Sequence, residues 1–458
     1  MSSQAVWFSL TLSWVLMAGP ALSQESASDT TAQDEATTKP DGKFDQATGS
    51  PWYKKLGWQW GGYLKGKTSV SWQSDNSYLS AVSSSPLLDG NTEFRLKNTT
   101  NFGQRFSLET HFESILAGGD TRSRSSQLVR VDPYLGAYAL EQIRPVDDRR
   151  RLMDLTAVSQ GEAYILSNRL DRLVLTYKPD WGFVRVGRQA VTWGNGMLFT
   201  PLDIFDPFAP TDIEREYKIG EDMLSVQVPS RWGEFQFLGV ARREPLTHSV
   251  QLNQSSFAGK WHKGLGKVDL DLMAARHFSD DVIGFGSSQP LGGAGWRLDA
   301  TWTFLDGDSR RAGYLALVTN IDYSWVWRSK NFYGYVEFYF NGLGTTHYDL
   351  ASLDPALVAR LARREMFTIG RYYADSKVQV EVNPLFNVYV SSIVNLYDGS
   401  GVFQPRGIYS ITTDLLLTFG ANLVWGKPGT EFGGIEIPTT QYTNRAAAGV
   451  FVWFSYYF

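Results

Sequence analysis

A chain of 458 residues in which 43 Lys and Arg face 47 Asp and Glu has a formal charge of -4, which offers no basic surface to a nucleic acid. It has no cysteine, so a disulfide framework and a lipid-bearing N-terminal Cys are both excluded, and its five His lack the paired spacing of a metal set; no metal and no cofactor are expected. Beyond the N-terminal stretch no run of about 18 apolar residues exists to make a spanning helix, yet 14% of the chain is aromatic and 43 residues are Gly, a composition that fits an exported, strand-rich protein.

Residues 1–23, MSSQAVWFSLTLSWVLMAGPALS, read as a secretory signal, with an apolar stretch from Ala5 to Met17 ahead of Ala21-Leu22-Ser23. The segment before that stretch lacks Lys and Arg, which departs from the usual pattern. Residues 24–50 are Ser, Thr, Asp and Gln with a single Phe; they cannot bury a core and read as a disordered periplasmic leader. Residues 51–458 are left to form one domain.

From Trp58 onward, segments alternate with a period of two between turn residues. WQWGGYLKGKTSVSW sets Trp58, Trp60, Leu64, Val70 and Trp72 against Gln59, Tyr63, Lys65, Lys67 and Ser69. The charged faces of the next two segments carry Arg95, Arg105, Glu109 and Glu113. KVDLDLMA sets Val268, Leu270 and Leu272 against Lys267, Asp269 and Asp271, and later segments place Arg297, Asp299, Glu337, Lys377 and Glu381 in the same way. An Arg or Lys facing lipid at the midplane would cost roughly 2–4 kcal/mol, so the charged faces are assigned to a lumen.

Eight short links, near 101–104, 179–182, 229–233, 263–266, 289–293, 327–331, 383–385 and 412–414, alternate with longer ones near 74–90, 118–158, 195–221, 244–253, 343–366 and 427–443. Tighter links near 278–280, 306–311 and 398–403 complete the count. The expected fold is all-β: a transmembrane antiparallel up-and-down barrel of about 18 strands, within 16–18, with long extracellular loops. Val282 to Ser288, which reads equally as loop, and Phe403 to Thr412, interrupted by Pro405, are its least regular segments.

The 118–158 link mixes seven Arg with acids and reads either as a solvated loop or as an inward-folded cap. LASLDPALVARLARR (350–364) predicts a short helix begun at Asp354-Pro355, with Leu357 and Leu361 on its buried face. Most informative is RVGRQAVTWGNGMLFTPLDIFDPFAPTDIEREYKIGEDM, from Arg185 to Met223. Arg185 and Gln189 share one strand face, whereas alternation from Val184 and Val186 turns Arg188 toward lipid unless a bulge at Gly187 re-aims it. Pro201, Pro207 and Pro210 then exclude a regular ladder, and Leu202, Ile204, Phe205 and Phe208 need something to pack on. With Asp203, Asp206, Asp212, Glu214, Glu216, Glu221 and Asp222 outnumbering Arg215 and Lys218, the segment reads as an inward constriction loop or as a loop packed on the rim.

The chain ends on GVFVWFSYYF, which puts Phe458, Tyr456, Phe454, Val452 and Val450 on one apolar face. This ending resembles the C-terminal assembly signal of bacterial outer-membrane barrels. The run GRQAVTWGNG, then PLDIFDPFAPTDIEREYKIGEDM and NLYDGSG, resembles porin-like outer-membrane proteins related to the alginate-export barrels, over the chain from about Asn168 to its end. That resemblance implies a lumenal Arg188 and Gln189 with the acidic loop inside the barrel. Alginate exporters are expected to have a strongly basic lumen, and the mixed signs of the inward residues depart from it.

Three functions compete. The first is a passive channel for small polar or charged solutes. The alternative is an exopolysaccharide export channel using Tyr63, Tyr333, Tyr335 and Tyr339 as sugar platforms. The third is an enzyme built on Ser107, His111 and Glu109 or Glu113, a set that neighbouring strand positions produce by chance; the chain is not read as an enzyme. Its expected partners are outer-membrane lipid, the barrel-assembly machinery through the last strand, and the solute or polysaccharide chain, with no nucleic acid.

Overall fold

The structure is a computed structural model and describes residues 57–83, 86–210, 216–307 and 311–458. The signal and leader assigned above lie outside the described residues. Eighteen strands close a ring: β1 (Gly57–Trp72), β2 (Leu87–Phe102), β3 (Phe106–Gly119), β4 (Tyr164–Tyr177), β5 (Phe183–Gln189) and β6 (Glu221–Ser230). They continue as β7 (Gly233–Val240), β8 (Ser256–Leu265), β9 (Val268–His277), β10 (Asp280–Leu291), β11 (Ala294–Phe304) and β12 (Gly313–Trp327). The ring is completed by β13 (Lys330–Asn341), β14 (Tyr372–Asn383), β15 (Phe386–Asn395), β16 (Gly401–Ser410), β17 (Leu415–Trp425) and β18 (Ala448–Tyr457). Each pairs antiparallel with its sequence neighbours, and β18 closes the ring on β1, from Tyr63 opposite Tyr457 to Trp72 opposite Ala448.

The period of two explains the wall. In β18, Val450, Val452, Phe454 and Tyr456 are exposed while Phe451, Trp453 and Ser455 are buried, and β1 divides Trp58, Trp60 and Leu64 from Tyr63, Lys65 and Lys67 in the same way. Exposed large apolar side chains recur on the outward positions of the ring strands, as a strand wall facing hydrocarbon requires. Short turns gather at one end of the ring, and the other carries the longer connections together with the tight link between His277 and Asp280. The two least regular segments are both strands: β10 covers 282–288, and Pro405 sits within β16 where the ladder to β17 skips from Phe403 to Arg406.

Local departures from the ladder reshape the wall. Between β3 and β4 the pairing jumps from His111 opposite Arg172 to Phe112 opposite Leu170, leaving Asp171 as the extra residue of a bulge. Parity resets there, so Arg169, Asp171 and Arg172 are all buried. β5 is short, and the strand position beside the far half of β4 is filled by Thr156–Gln160, which pairs from Thr156 opposite Arg169 to Gln160 opposite Ile165. The chain after β5 is thereby freed to leave the wall.

The 118–158 link holds helices α1 (Asp120–Val131) and α2 (Pro133–Gln142), the latter opened by Asp132, whose carboxylate accepts from the amides of Tyr134 and Leu135. They pack Leu128, Leu135 and Tyr138 on Tyr78, Leu79 and Ile437 and so cap the loop end. The helix predicted after Asp354 is α3 (Pro355–Ala362); Leu357 and Leu361 are buried as expected, together with Arg360, which bonds Asp280 at 2.6 Å.

Candidate functional site

After β5 the chain runs along the inside of the wall, and its apolar residues set its path. Trp193, Leu202 and Phe205 pack on Leu238 and Val240 of β7, Ala258 of β8, Met273 of β9 and Val282 of β10. Phe199 reaches β13 and β14, stacking on Tyr339 with centroids 4.3 Å apart and meeting Tyr373 at 5.4 Å with the rings tilted. Two wall carboxylates pin the turn of the loop through its main chain. Asp299 accepts from the amides of Asn195 (2.5 Å) and Gly196 (3.1 Å), and Glu337 accepts from Met197, Leu198 and Phe199 at 2.6, 3.0 and 2.8 Å. Backbone amides that belong to no ladder need an acceptor when buried, and the two carboxylates supply it.

The returning limb crosses to the other side of the ring. Glu216 pairs with Lys65 and accepts from the Tyr457 hydroxyl at 2.6 Å. Tyr217 lies parallel to Tyr63 at 6.3 Å, under the Arg95 guanidinium at 4.6 Å, and its hydroxyl accepts from Lys97 at 3.0 Å. Behind this contact stands a buried ion cluster, in which Arg95 bonds Glu113 (2.5 Å) and Asp171 (3.0 Å), Arg169 pairs with Glu113, and Arg172 bonds Asp171 at 2.7 Å. Buried charges persist only when paired and hydrogen-bonded in this way.

The acids of the loop are likewise engaged. Asp203 holds Lys218 at 2.7 Å through both oxygens, Asp206 pairs with Arg151 (3.2 Å), Glu221 with Arg242 (3.3 Å), and Asp222 with Arg188 (2.8 Å). Asp212, Glu214 and Arg215 lie outside the described residues. Arg188 also bonds Asp148 at 2.9 Å and is buried under the 148–153 segment. A bulge at Gly187, the condition for re-aiming Arg188, does not occur: Val186, Gly187 and Arg188 pair in unbroken register with β4 and β6, and Gly187 takes φ 122° where a Cβ would meet the Leu173 carbonyl. Gln189 is buried, its amide donating to the Met223 carbonyl.

Other singled-out residues scatter. Glu109 bridges Arg185 and His111, each at 3.2 Å, and the other ring nitrogen of His111 lies 3.5 Å from the Arg95 guanidinium. Asp271 bonds His262 at 3.1 Å, Arg297 bonds Asp322 at 2.5 Å, and Glu381 accepts from Asn331 at 2.8 Å. Lys67 and Lys377 are buried beside the Trp453 and Tyr389 rings respectively, whereas Arg105 and Asp269 are exposed near the turn end. Sequence reading missed Asp171, Arg169 and Arg172. Their signal was the adjacent pair Asp171-Arg172 in RLDRL, since two neighbouring charges cannot both obey strict alternation.

No family model matches the chain, and no curated protein matches it. Among solved structures, OccAB3 of Acinetobacter baumannii is similar with a TM-score of 0.51 at 10% identity, covering 88% of this chain and 99% of that one. OccK9 (OpdG) of Pseudomonas aeruginosa gives 0.49 at 9% identity over 89% and 99%, and a BenF-like porin of Pseudomonas fluorescens Pf-5 gives 0.47 at 11% over 88% and 98%. The fold is that of a porin-like barrel; the likeness to alginate-export barrels drawn from GRQAVTWGNG receives no support from these comparisons.

Proposed function

We propose that the protein is a channel of the bacterial outer membrane that lets small polar or charged solutes diffuse through a mixed-charge lumen narrowed by the 190–220 loop. One observation carries the reading: a closed ring wears an apolar belt outside, and a loop is clamped to two separate parts of its wall, β13 through Glu337 and β1 through Lys65. A barrel of this size without an inner element leaves an aqueous pore, and a clamped loop reduces it to solute size. Membrane lipid is the partner of the belt, and the exposed Phe458 end is the segment the assembly machinery would read. Refolded protein in a planar bilayer should give discrete conductance steps, and deletion of 201–212 should raise them. Absence of any conductance in the wild-type barrel and in the deletion would overturn the proposal.

A further inference from the structure

The apolar residues of the inner loop part into two sets. Phe199, Leu202 and Phe205 are sunk against the wall, whereas Leu198, Pro201, Ile204 and Phe208 stay half-buried along the same run. Across from this second set stand Met366 and Phe367, half-buried on the segment that leads from α3 into β14, and the two lips enclose a cleft. Thr301 of β11, Ala316 of β12 and Tyr339 of β13 line it on the wall side. Its empty space is about 610 Å³ counting the part open to solvent, enough for one ring with its substituents.

The carboxylates that reach this cleft are already paired. Asp203 closes on Lys218 at 2.7 Å through both oxygens, and Glu365 on Arg363 at 2.6 Å, with His277 and Arg360 at 3.4 and 3.8 Å. The other polar side chains of the lining, Thr200, Thr301, Thr368 and Tyr339, are neutral. A charged group entering here would lose water without gaining a counter-charge. The rings of the two lips are unmatched in a different way: among the described residues neither Phe208 nor Phe367 stacks on another ring, although Phe199, which also lines the cleft, stacks on Tyr339. Pro201, Pro207 and Pro210 fix φ along one lip, so its shape precedes any ligand.

We propose that this cleft binds the ring of a small uncharged solute, an aromatic or alicyclic alcohol in its simplest form, as the solute passes the loop. Phe208 and Phe367 offer the offset and edge contacts that a flat apolar group prefers, and the threonine hydroxyls suit a single hydroxyl on it. The passage rests on the channel reading; the binding does not.

Fluorine NMR of a fluorinated benzyl alcohol, added to the barrel refolded into amphipol, tests this. Line broadening that unlabelled benzyl alcohol competes away is expected, with glycerol inert and benzoate, the same ring bearing a negative charge, about tenfold weaker as a competitor. Phe208→Ala and Phe367→Ala, on opposite lips, should each weaken binding by about fivefold with heat-modifiable gel mobility unchanged. Broadening that excess benzyl alcohol does not reverse, competition by benzoate equal to that by benzyl alcohol, or an affinity unmoved in a variant that folds overturns the inference. The competition uses the wild-type barrel alone, so it decides even where a variant fails to fold. No current is read: a barrel that conducts without binding the ring overturns this inference and leaves the channel reading standing, and one that binds the ring without conducting does the reverse.

Discussion

Asp203 and Lys218 form a buried pair inside the loop, the ammonium 2.7 Å from both carboxylate oxygens. Burial pushes the Asp203 carboxyl up to about 6 against the pull of Lys218, whereas in the unfolded chain it titrates near 3.8. Between those values the native state holds a proton that the unfolded state has released, so its contribution to stability is largest below about pH 4 and declines as pH rises to about 6. Two pKa units correspond to roughly 3 kcal/mol. Asp203→Asn should remove this slope: the difference between wild type and variant in the temperature at which heat-modifiable mobility is lost should change between pH 4 and 6 and be level from 7 to 8. Parallel profiles across the whole range would mean that the carboxylate is solvated. The same scale explains why the loop is a poor source of free negative charge. Each of its described acids faces a Lys or Arg, so neutralising Asp206 exposes Arg151 as much as it removes an anion.

Elements divide according to how local their causes are. The faces of β9 were legible because Asp271 and Leu272 differ by one step of a fixed period, and one is buried while the other is exposed. A cysteine at Leu272 should stay unlabelled by a membrane-impermeant thiol reagent in proteoliposomes, while one at Asp269 should be labelled; the opposite pattern would mean a register slipped by one residue. The path of the loop was not legible. Its apolar residues announced a packed segment, but the anchors are main-chain amides, which carry no sequence signal, held by Glu337 from 138 to 140 residues away. For that reason Asp299 and Glu337 read as ordinary lumenal charges. Hydrogen bonds to a charged group are worth about 1.5–3 kcal/mol each, and an amide in place of the carboxylate turns a donor toward donors. The double variant Asp299→Asn, Glu337→Gln should therefore keep its strands but cleave faster within 190–210 under limited proteolysis, with noisier single-channel current. Cleavage at the wild-type rate would show that the Phe199 stack alone holds the loop.

At the scale of the whole barrel the deciding contact is the seam. Ten register pairs join β1 and β18, and beyond them Phe458 exchanges both of its backbone bonds with Gly62, at 2.9 and 3.1 Å. Its ring lies above Gly62, where an added Cβ would come within 2.8 Å of the ring and 2.1 Å of the Arg95 carbonyl, and it stacks on Phe94 at 6.3 Å. Removing Phe458 deletes two backbone bonds worth about 1 kcal/mol each and one outward ring, a small part of a seam that remains otherwise paired. The finished barrel should tolerate the loss. Assembly in the cell need not, because a terminal aromatic on the outward face is available for recognition before the ring closes. Deletion of Phe458 should thus leave refolding yield in detergent within about twofold of wild type while lowering the amount found in the outer membrane several-fold, with chain accumulating in the periplasm. Equal losses in both settings would assign Phe458 to the stability of the seam, and no loss in either would remove it from assembly altogether.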